Sequence, residues 1–283
     1  MKKIFLTILL SGATALLSLA QNHSVISGNK AQRVFPRNAT LEIFHSDLLH
    51  CDDTVAVFSP ATVPVKATLF LLHGYSGNWS DWGTHMDLQA LCEKTGWRFI
   101  CPDGFYSSWY FDDADAAKMQ WRSFFWKECW PLLEQKYELD AKSTYIAGLS
   151  MGGHGAMSLF LDHPEYFAGA GSMSGVLDLR YSSKSKDTIP IILGKKDIEK
   201  CDKFSSVHRL EQYAALGPKI TGSKLLVIGC GTEDNTFYPA SRLFEAECRN
   251  LGLRHVSLYS EGKHKWNYWV RILPLYIQIF ESL

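Results

Sequence analysis

A serine flanked by glycines is the strongest chemical signal in this sequence. The segment Gly148-Leu149-Ser150-Met151-Gly152 fits the pattern G-x-S-x-G, which places a serine hydroxyl on a sharp strand-to-helix turn. A β-rich run, 143–147, precedes the segment, and a helix-compatible run, 153–161, follows it. The flanking glycines are expected because so tight a turn leaves no room for side chains. The sequence therefore predicts Ser150 as a nucleophile.

A serine hydroxyl needs a base, and the base needs an orienting acid. In hydrolases with this serine turn, the chain order is nucleophile, acid, histidine. The histidines after the serine are His154, His163, His208, His255 and His264. The first four lie in or beside predicted helices and strands. His264 lies in the loop between the last predicted strand and the last predicted helix, so we predict that it is the base.

The orienting acid is expected in the loop that follows the preceding strand. The predicted strand 225–228 is followed by a loop that carries both Glu233 and Asp234. Position alone leaves both carboxylates open as the acid. Asp178 and Asp197 are weaker candidates, because neither follows a clear buried strand.

Two backbone N–H groups are expected to bind the oxyanion. One belongs to the residue after the nucleophile, Met151, and the other to the loop after the third strand. That loop begins Leu72-His73-Gly74-Tyr75, which indicates the Tyr75 N–H as the second donor. His73 precedes the serine in the chain, so a structural role beside this loop is expected for it.

The elements that must position these residues alternate along the chain. Apolar or β-rich runs predict strands at 40–46, 53–59, 67–72, 96–102, 144–147, 167–172, 224–228 and 255–259. Helical spacing predicts helices at 82–95, 120–137, 152–161, 206–215, 239–251 and 265–280. Residues 179–205 predict a loop or small cap. The alternation predicts an α/β fold with a mostly parallel sheet, helices on both faces and a small lid or none.

The amino terminus predicts export. Lys2 and Lys3 precede an apolar stretch, and small residues precede Gln21, so residues 1–20 are predicted to be a signal peptide. Residues 21–39 are a polar leader, and residues 40–283 form one predicted domain. The expected location is secreted or periplasmic, with no membrane association after signal cleavage.

Composition argues against several other classes of protein. Lys and Arg together number 29, as do Asp and Glu, so no nucleic-acid partner is expected. None of the seven cysteines forms a CxxC pair or has zinc-ligand spacing, and they are interpreted as small buried hydrophobic residues. The sequence implies neither a metal nor a cofactor, and it does not indicate an oligomeric state.

Five segments together resemble the α/β-hydrolase esterase family that contains esterase D (S-formylglutathione hydrolase), tributyrin esterases, feruloyl and acetyl-xylan esterases, and mycolyltransferases. The segments span nearly all of the chain after residue 39: His73-Gly74-Tyr75-Ser76-Gly77-Asn78, Pro102-Asp103-Gly104, Gly148-Leu149-Ser150-Met151-Gly152-Gly153, Cys230-Gly231-Thr232-Glu233-Asp234 and Gly262-Lys263-His264-Lys265-Trp266. The resemblance implies that the second carboxylate, Asp234, is the acid. Asn235 departs from the aromatic residue or leucine that the family usually has there.

The resemblance implies a carboxylesterase. The segment 178–222 is too short, and too polar in its first half, for a large hydrophobic lid, which together with export predicts an open site for short-chain acyl or carbohydrate-linked esters, with acetyl and feruloyl groups as leading candidates. Trp79 and Trp109 lie in loops expected to border the site, where they could stack on a sugar or an aromatic acyl group. Ordinary packing is the competing interpretation for both. An acyltransferase of the mycolyltransferase type and a catalytically silent carbohydrate-binding relative remain alternative functions.

Overall fold

A single mixed sheet organises the chain. The computed structural model describes residues 6–9 and 38–282, and within those residues nine strands pair in the order β1-β2-β3-β5-β4-β6-β7-β8-β9. The strands are β1 Leu6–Leu9, β2 Thr40–Ser46, β3 Cys51–Phe58, β4 Ala67–Leu72, β5 Trp97–Pro102, β6 Thr144–Leu149, β7 Gly169–Met173, β8 Leu225–Gly231 and β9 His255–Ser260.

The sheet has an antiparallel part and a larger parallel part. β1, β2, β3 and β5 pair antiparallel, whereas β5, β4, β6, β7, β8 and β9 run parallel. β4, β6, β7 and β8 are buried along their whole length, as expected where helices cover both faces of a parallel sheet. The predicted mostly parallel sheet is confirmed.

Ten α-helices lie within the described residues. Their bounds are α1 Asp81–His85, α2 Leu88–Thr95, α3 Trp121–Phe124, α4 Trp130–Tyr137, α5 Met151–Asp162, α6 Ser183–Ile192, α7 Leu210–Ala214, α8 Pro218–Thr221, α9 Tyr238–Asn250 and α10 Trp266–Glu281. A π-helical segment, Phe125–Cys129, joins α3 to α4. Short 3₁₀ helices span Pro164–Tyr166, Ile198–Phe204 and Ser206–Arg209. None of the described helices is both long and apolar enough to cross a membrane.

Two hydrophobic cores lie on opposite faces of the sheet. On one face α3, α4, α5 and α9 contribute buried residues that include Phe124, Leu133 and Met157. On the other face α2 and α10 contribute residues that include Leu91 and Ile272. Helices therefore cover both faces, as predicted. Burial of this much apolar surface is the main stabilising contribution to such a domain.

Two of the helix predictions, and the prediction of a loop or small cap at 179–205, differ in detail from the structure. The predicted helix 82–95 breaks between α1 and α2, where Met86 is extended and Asp87 caps Ala90 N. The predicted helix 120–137 is continuous but contains the π-helical segment. The predicted loop 179–205 contains α6, whose first turn is capped by the Ser182 side chain.

The predictions of a signal peptide and a leader lie largely outside the described residues, whereas the prediction for the cysteines can be compared with the structure. Of the predicted signal peptide and leader, only Leu6–Leu9, Asn38 and Ala39 fall within the described residues. All seven cysteines are described and none forms a disulfide; six are buried, and Cys51 is half-buried. Their interpretation as small buried hydrophobic residues therefore holds for six of them.

Candidate active site

Ser150 lies on a strained turn between β6 and α5. Its backbone has φ 53° and ψ −117°, a conformation that costs energy for a residue with a Cβ and is found mainly at functional sites. A Cβ on Gly152 would collide with the carbonyl oxygens of Leu72 and His73, at the end of β4. The Ser150 N–H donates to Met173 O at 3.0 Å, which ties the turn to the end of β7.

The three residues predicted as nucleophile, base and acid lie in one hydrogen-bonded line. His264 Nε2 is 2.9 Å from Ser150 Oγ, and His264 Nδ1 is 2.7 Å from Asp234 Oδ2. In the parallel pair β8 and β9, Gly231 lies opposite Ser260, so the loops that carry Asp234 and His264 leave the sheet at the same edge. A neutral imidazole with its proton on Nδ1 can donate to Asp234 and accept from Ser150.

The structure distinguishes the two adjacent carboxylates. The Asp234 side chain is 2% exposed, and its Oδ1 accepts the Phe237 N–H at 3.2 Å. Glu233 is exposed, and its carboxylate lies 3.5 Å from Lys263 Nζ at the surface. Only Asp234 is positioned to orient His264.

The two weaker carboxylate candidates point elsewhere. Asp178 is buried and pairs with Arg180 at 2.6 Å. Asp197 accepts the Lys200 N–H at 3.1 Å, as the cap of a 3₁₀ helix. Neither contacts His264.

The two predicted oxyanion donors are not used elsewhere. Within the described part of the chain, neither the Tyr75 N–H nor the Met151 N–H donates a hydrogen bond to another group. Met151 begins α5, where the first N–H groups of a helix lack internal partners. A Cβ built on Gly74, the residue before Tyr75, would lie 3.4 Å from Ser150 Cβ. Both amides therefore belong to segments adjoining Ser150 and are available to an anionic oxygen.

Comparison with known proteins identifies the family to which this chain belongs. The family described as "Putative esterase" matches residues 46–275. The chain belongs to this esterase family. It is a carboxylic ester hydrolase.

Two relatives and one solved structure illustrate the range of similarity. The chain is 27% identical to an acetyl esterase of Caldicellulosiruptor saccharolyticus, over 80% of this chain and 91% of that protein. It is 31% identical to the diacylglycerol acyltransferase/mycolyltransferase Ag85A of Mycobacterium leprae, over 71% of this chain and 70% of that protein. A ferulic acid esterase structure matches with a TM-score of 0.71 at 22% identity, covering 86% of this chain and 97% of that one. The structural match supports the fold alone.

Aromatic side chains that sequence reasoning missed surround the esterase's His264 ring. The Phe237 ring lies 4.6 Å from the imidazole, tilted by 40°, and the Trp269 ring lies 4.9 Å away, edge to face. Trp269 Nε1–H also donates to Ser174 Oγ at 3.3 Å. These contacts restrict rotation of the imidazole. Trp269 lies at the start of the helix that follows the histidine loop, which is the sequence feature that could have pointed to it.

The predicted stacking surface is wrong for Trp109. This side chain is 1% exposed, and its Nε1–H donates to Thr188 Oγ1 on α6 at 2.8 Å, so it presents no face to a ligand. Its ring packs 6.0 Å from the Tyr75 ring, and the packing interpretation is correct. Trp79 is half-buried against the core on the α10 side of the sheet, and its role in binding stays a prediction.

Two other histidines that lie close to Ser150 in the chain or beside its turn, His73 and His154, are fully buried. His73 directly follows β4 and precedes the loop that carries Tyr75; its structural role stays a prediction. His154, on α5, has no hydrogen-bond partner for either ring nitrogen among the described residues. Burial, followed by the charges of Arg122 and Arg209, lowers the pKa of His154 to about 3. His154 is thus held neutral and is not placed to act as a base for Ser150.

Among the residues that the structure describes, one group of side chains has donor atoms close enough to suggest a metal centre. The nearest donor atoms of Asp178, Asp202 and His208 all lie within 4.8 Å of one another. The Arg180 guanidinium already lies among them, 2.6 Å from Asp178 and 3.2 Å from Asp202. This arrangement is an ion-pair network that joins the loop after β7 to the 3₁₀ segments before α7.

Proposed function

We propose that this esterase hydrolyses short-chain acyl or carbohydrate-linked esters, with acetyl and feruloyl groups as candidates, through an acyl-enzyme intermediate on Ser150. The observation that carries the proposal is the continuous line from Asp234 through His264 to Ser150 Oγ, at 2.7 and 2.9 Å. The two unused amides beside Ser150 support it. Hydrogen bonds within this line activate a hydroxyl that is otherwise a weak nucleophile.

In the proposed mechanism, Ser150 Oγ attacks the ester carbonyl carbon while His264 Nε2 takes its proton. Asp234 holds the imidazole in the required tautomer and stabilises its positive charge. The Tyr75 and Met151 amides bind the developing oxyanion. Collapse of the tetrahedral intermediate releases the alcohol, which receives the proton from His264. Water then attacks the acyl carbonyl carbon while His264 Nε2 takes its proton. Collapse of this second intermediate breaks the bond to Ser150 Oγ, which receives the proton, and releases the carboxylic acid.

Two features support short or sugar-linked substrates. The His264 side chain is 31% exposed and Ser150 is half-buried, so the line of residues opens to solvent. The segment after β7 holds α6, whose amino-terminal half is polar and includes exposed Lys184, Lys186 and Asp187. A long acyl chain needs extended apolar surface, because each buried methylene contributes only about 0.8 kcal/mol. This helix offers little such surface.

Covalent labelling tests the mechanism. An organophosphonate should form a stable adduct on Ser150 in the wild type, located by mass spectrometry. Ser150→Ala should lower kcat by on the order of 10⁴ or more while leaving the urea midpoint nearly unchanged. An adduct on another residue, or near-wild-type turnover of the variant, would refute the assignment.

A substrate panel tests the specificity. We expect kcat/KM to fall from acetyl to butyryl to palmitoyl p-nitrophenyl esters, and acetylated xylan and methyl ferulate extend the panel to natural linkages. A preference for palmitoyl esters contradicts the proposal. Trp79→Ala should reduce activity on acetyl-xylan more than on p-nitrophenyl acetate if Trp79 stacks on sugar. An equal effect on both substrates assigns it to packing.

Transfer to an alcohol is a second candidate function, favoured by the 31% identity to a mycolyltransferase. An acyltransferase would give ester product in preference to free acid when an acceptor alcohol is added. We propose hydrolysis as the main reaction, so free acid should predominate.

We also propose that the esterase is exported, on the strength of the predicted signal peptide at residues 1–20. The mature protein should then begin at Gln21, lack β1, leave β2 as the edge strand of the sheet, and appear in the periplasm or medium. A cytoplasmic protein that retains its first twenty residues contradicts export.

A further inference from the structure

The Pro102-Asp103-Gly104 motif has no part in the line from Asp234 to Ser150. It ends β5 and begins a turn over residues 103–110, here called the 103–110 turn. Three non-glycine residues in this turn have positive φ: Phe105 at 52°, Trp109 at 53° and Tyr110 at 60°. Such conformations cost energy and persist only where surrounding contacts enforce them. Two residues of this turn, Gly104 and Tyr110, form hydrogen bonds with His73.

The His73 ring joins the 103–110 turn to the oxyanion loop. It is fully buried, with Nδ1 2.8 Å from Gly74 O, and the Gly104 N–H lies 2.7 Å from Nε2. A carbonyl can only accept and an amide N–H can only donate. Nδ1 therefore carries the proton and donates to Gly74 O, while Nε2 accepts from Gly104. The two contacts together place the proton of the neutral ring on Nδ1. Nε2 also lies 3.4 Å from Asp103 Oδ1; burial lowers the pKa of His73, but the hydrogen bond to Asp103 and the charges of Asp103 and Asp81 raise it overall.

The acceptor of the His73 proton belongs to the peptide that supplies the oxyanion donor. Gly74 C=O and Tyr75 N–H form one planar peptide unit, and in a trans peptide they point in opposite directions. A hydrogen bond that fixes the carbonyl therefore also fixes the direction of the N–H. His73 acts on one side of this peptide, and the other side presents the Tyr75 N–H.

Two more contacts hold the same loop. The Ser76 N–H donates to Tyr106 O at 2.7 Å, immediately after the oxyanion donor. The Tyr110 hydroxyl donates to His73 O at 2.8 Å, immediately before the Gly74 peptide. The 103–110 turn thus holds the loop on both sides of the Tyr75 amide.

We propose that His73 is a positioning residue, and that the 103–110 turn uses it to hold the Tyr75 N–H in the direction that binds the oxyanion. This inference rests on the proposed function, in which that N–H stabilises the tetrahedral intermediate. Losing a single oxyanion donor typically costs about 10²–10³ in kcat. Misdirecting the donor costs part of that factor and leaves ground-state binding unchanged, because the donor acts on charge that develops only later.

Two substitutions separate the two functions of the ring. In His73→Asn the amide nitrogen can take the place of Nδ1 and donate to Gly74 O, with no acceptor left for the Gly104 N–H. In His73→Gln the amide oxygen can take the place of Nε2 and accept from Gly104, with no donor left for Gly74 O. We expect the Gln variant to lose roughly 10²-fold in kcat with little change in KM, and the Asn variant to stay within about tenfold of wild type.

An alkyl boronic acid, which forms a tetrahedral adduct on an active serine, supplies a readout beyond turnover. Its Ki should rise in the Gln variant in parallel with the fall in kcat, while urea unfolding reports stability separately. Equal kcat values for the two variants, or losses that follow only their stabilities, would overturn the proposal.

Tyr110→Phe keeps the inference testable if both His73 variants fail to fold. It removes one hydroxyl and should lower kcat several-fold with KM unchanged. Tyr213→Phe is the matched control, because Tyr213 is buried and its hydroxyl has no partner among the described residues. Equal kcat in the two Tyr variants overturns the proposal. Failure of the wild type to form a Ser150 phosphonate adduct would instead refute the mechanism itself.

Discussion

Buried His154 should make the esterase's stability depend on pH. Both its ring nitrogens lack partners in the described structure, and burial with the charges of Arg122 and Arg209 lowers the pKa of His154 from 6.5 to about 3. Above pH 6.5 the ring is neutral in both the folded and the unfolded chain, so this group does not alter stability there. Below pH 6.5 the unfolded chain takes up a proton that the folded protein refuses until about pH 3. Falling pH therefore lowers the free energy of unfolding throughout this window.

The magnitude follows from the pKa difference. Each pH unit inside the window corresponds to about 1.4 kcal/mol, so this ring alone should cost about 2 kcal/mol at pH 5 relative to pH 7. His154→Met removes the titrating group and replaces it with a flexible apolar side chain suited to a site lined by Trp109 and Phe111. At pH 7 the variant should stay within about 1 kcal/mol of wild type, because removal of two unpartnered nitrogens offsets lost ring contacts.

Urea unfolding at pH 7, 6 and 5, followed by tryptophan fluorescence under reducing conditions, measures the effect. The variant's stability relative to wild type should rise by about 2 kcal/mol from pH 7 to pH 5. Other titrating groups are common to both proteins, so their contributions cancel. His50→Asn is the control, since His50 is exposed and asparagine tolerates its positive φ of 57°. A wild-type-to-variant difference that does not change with pH would refute the reasoning.

The other predictions concern the acid, the serine turn and the cysteines. Asp234→Asn should lower kcat by on the order of 10⁴, because the variant loses the carboxylate that sets the His264 tautomer. Glu233→Gln, the control, should keep kcat within about threefold of wild type. If steady-state kinetics show the larger loss for Glu233→Gln, the acid is Glu233. Gly152→Ala should lower the free energy of unfolding in urea by roughly 1–3 kcal/mol, because the alanine Cβ would meet two backbone carbonyls. An unchanged urea midpoint would show that the turn can relax. Burial and neighbouring carboxylates raise the pKa of Cys51 to about 11, and the other six cysteines are buried. The native protein at pH 7 should therefore react only slowly with maleimide, whereas the urea-unfolded protein should add seven labels. Rapid labelling of the native protein would contradict the described burial.

Local sequence was sufficient for features that depend on a few adjacent residues. The Gly148-to-Gly152 pattern identified the strand-to-helix turn because only such a turn requires glycines around a serine. Apolar runs identified β4, β6 and β8 because a strand buried on both faces has few polar positions. Chain order then identified the loop of His264, since parallel strands bring their carboxyl ends to one edge of the sheet.

Features that depend on distant contacts came only from the tertiary structure. Glu233 and Asp234 are neighbours of the same chemical type. Position left both open and the family resemblance favoured Asp234, but their difference in burial and in distance to His264 is visible only in the structure. Trp109 looked suited to stacking, yet the packing of α6 over its loop covers it, and no local pattern reports what another element will cover. Likewise, His73 donates to Gly74 O and accepts from the Gly104 N–H, and these hydrogen bonds join the end of β4 to a turn some thirty residues later in the chain. Sequence patterns report backbone geometry and periodicity over a few residues, whereas side-chain burial and partner choice are decided by how separate elements pack.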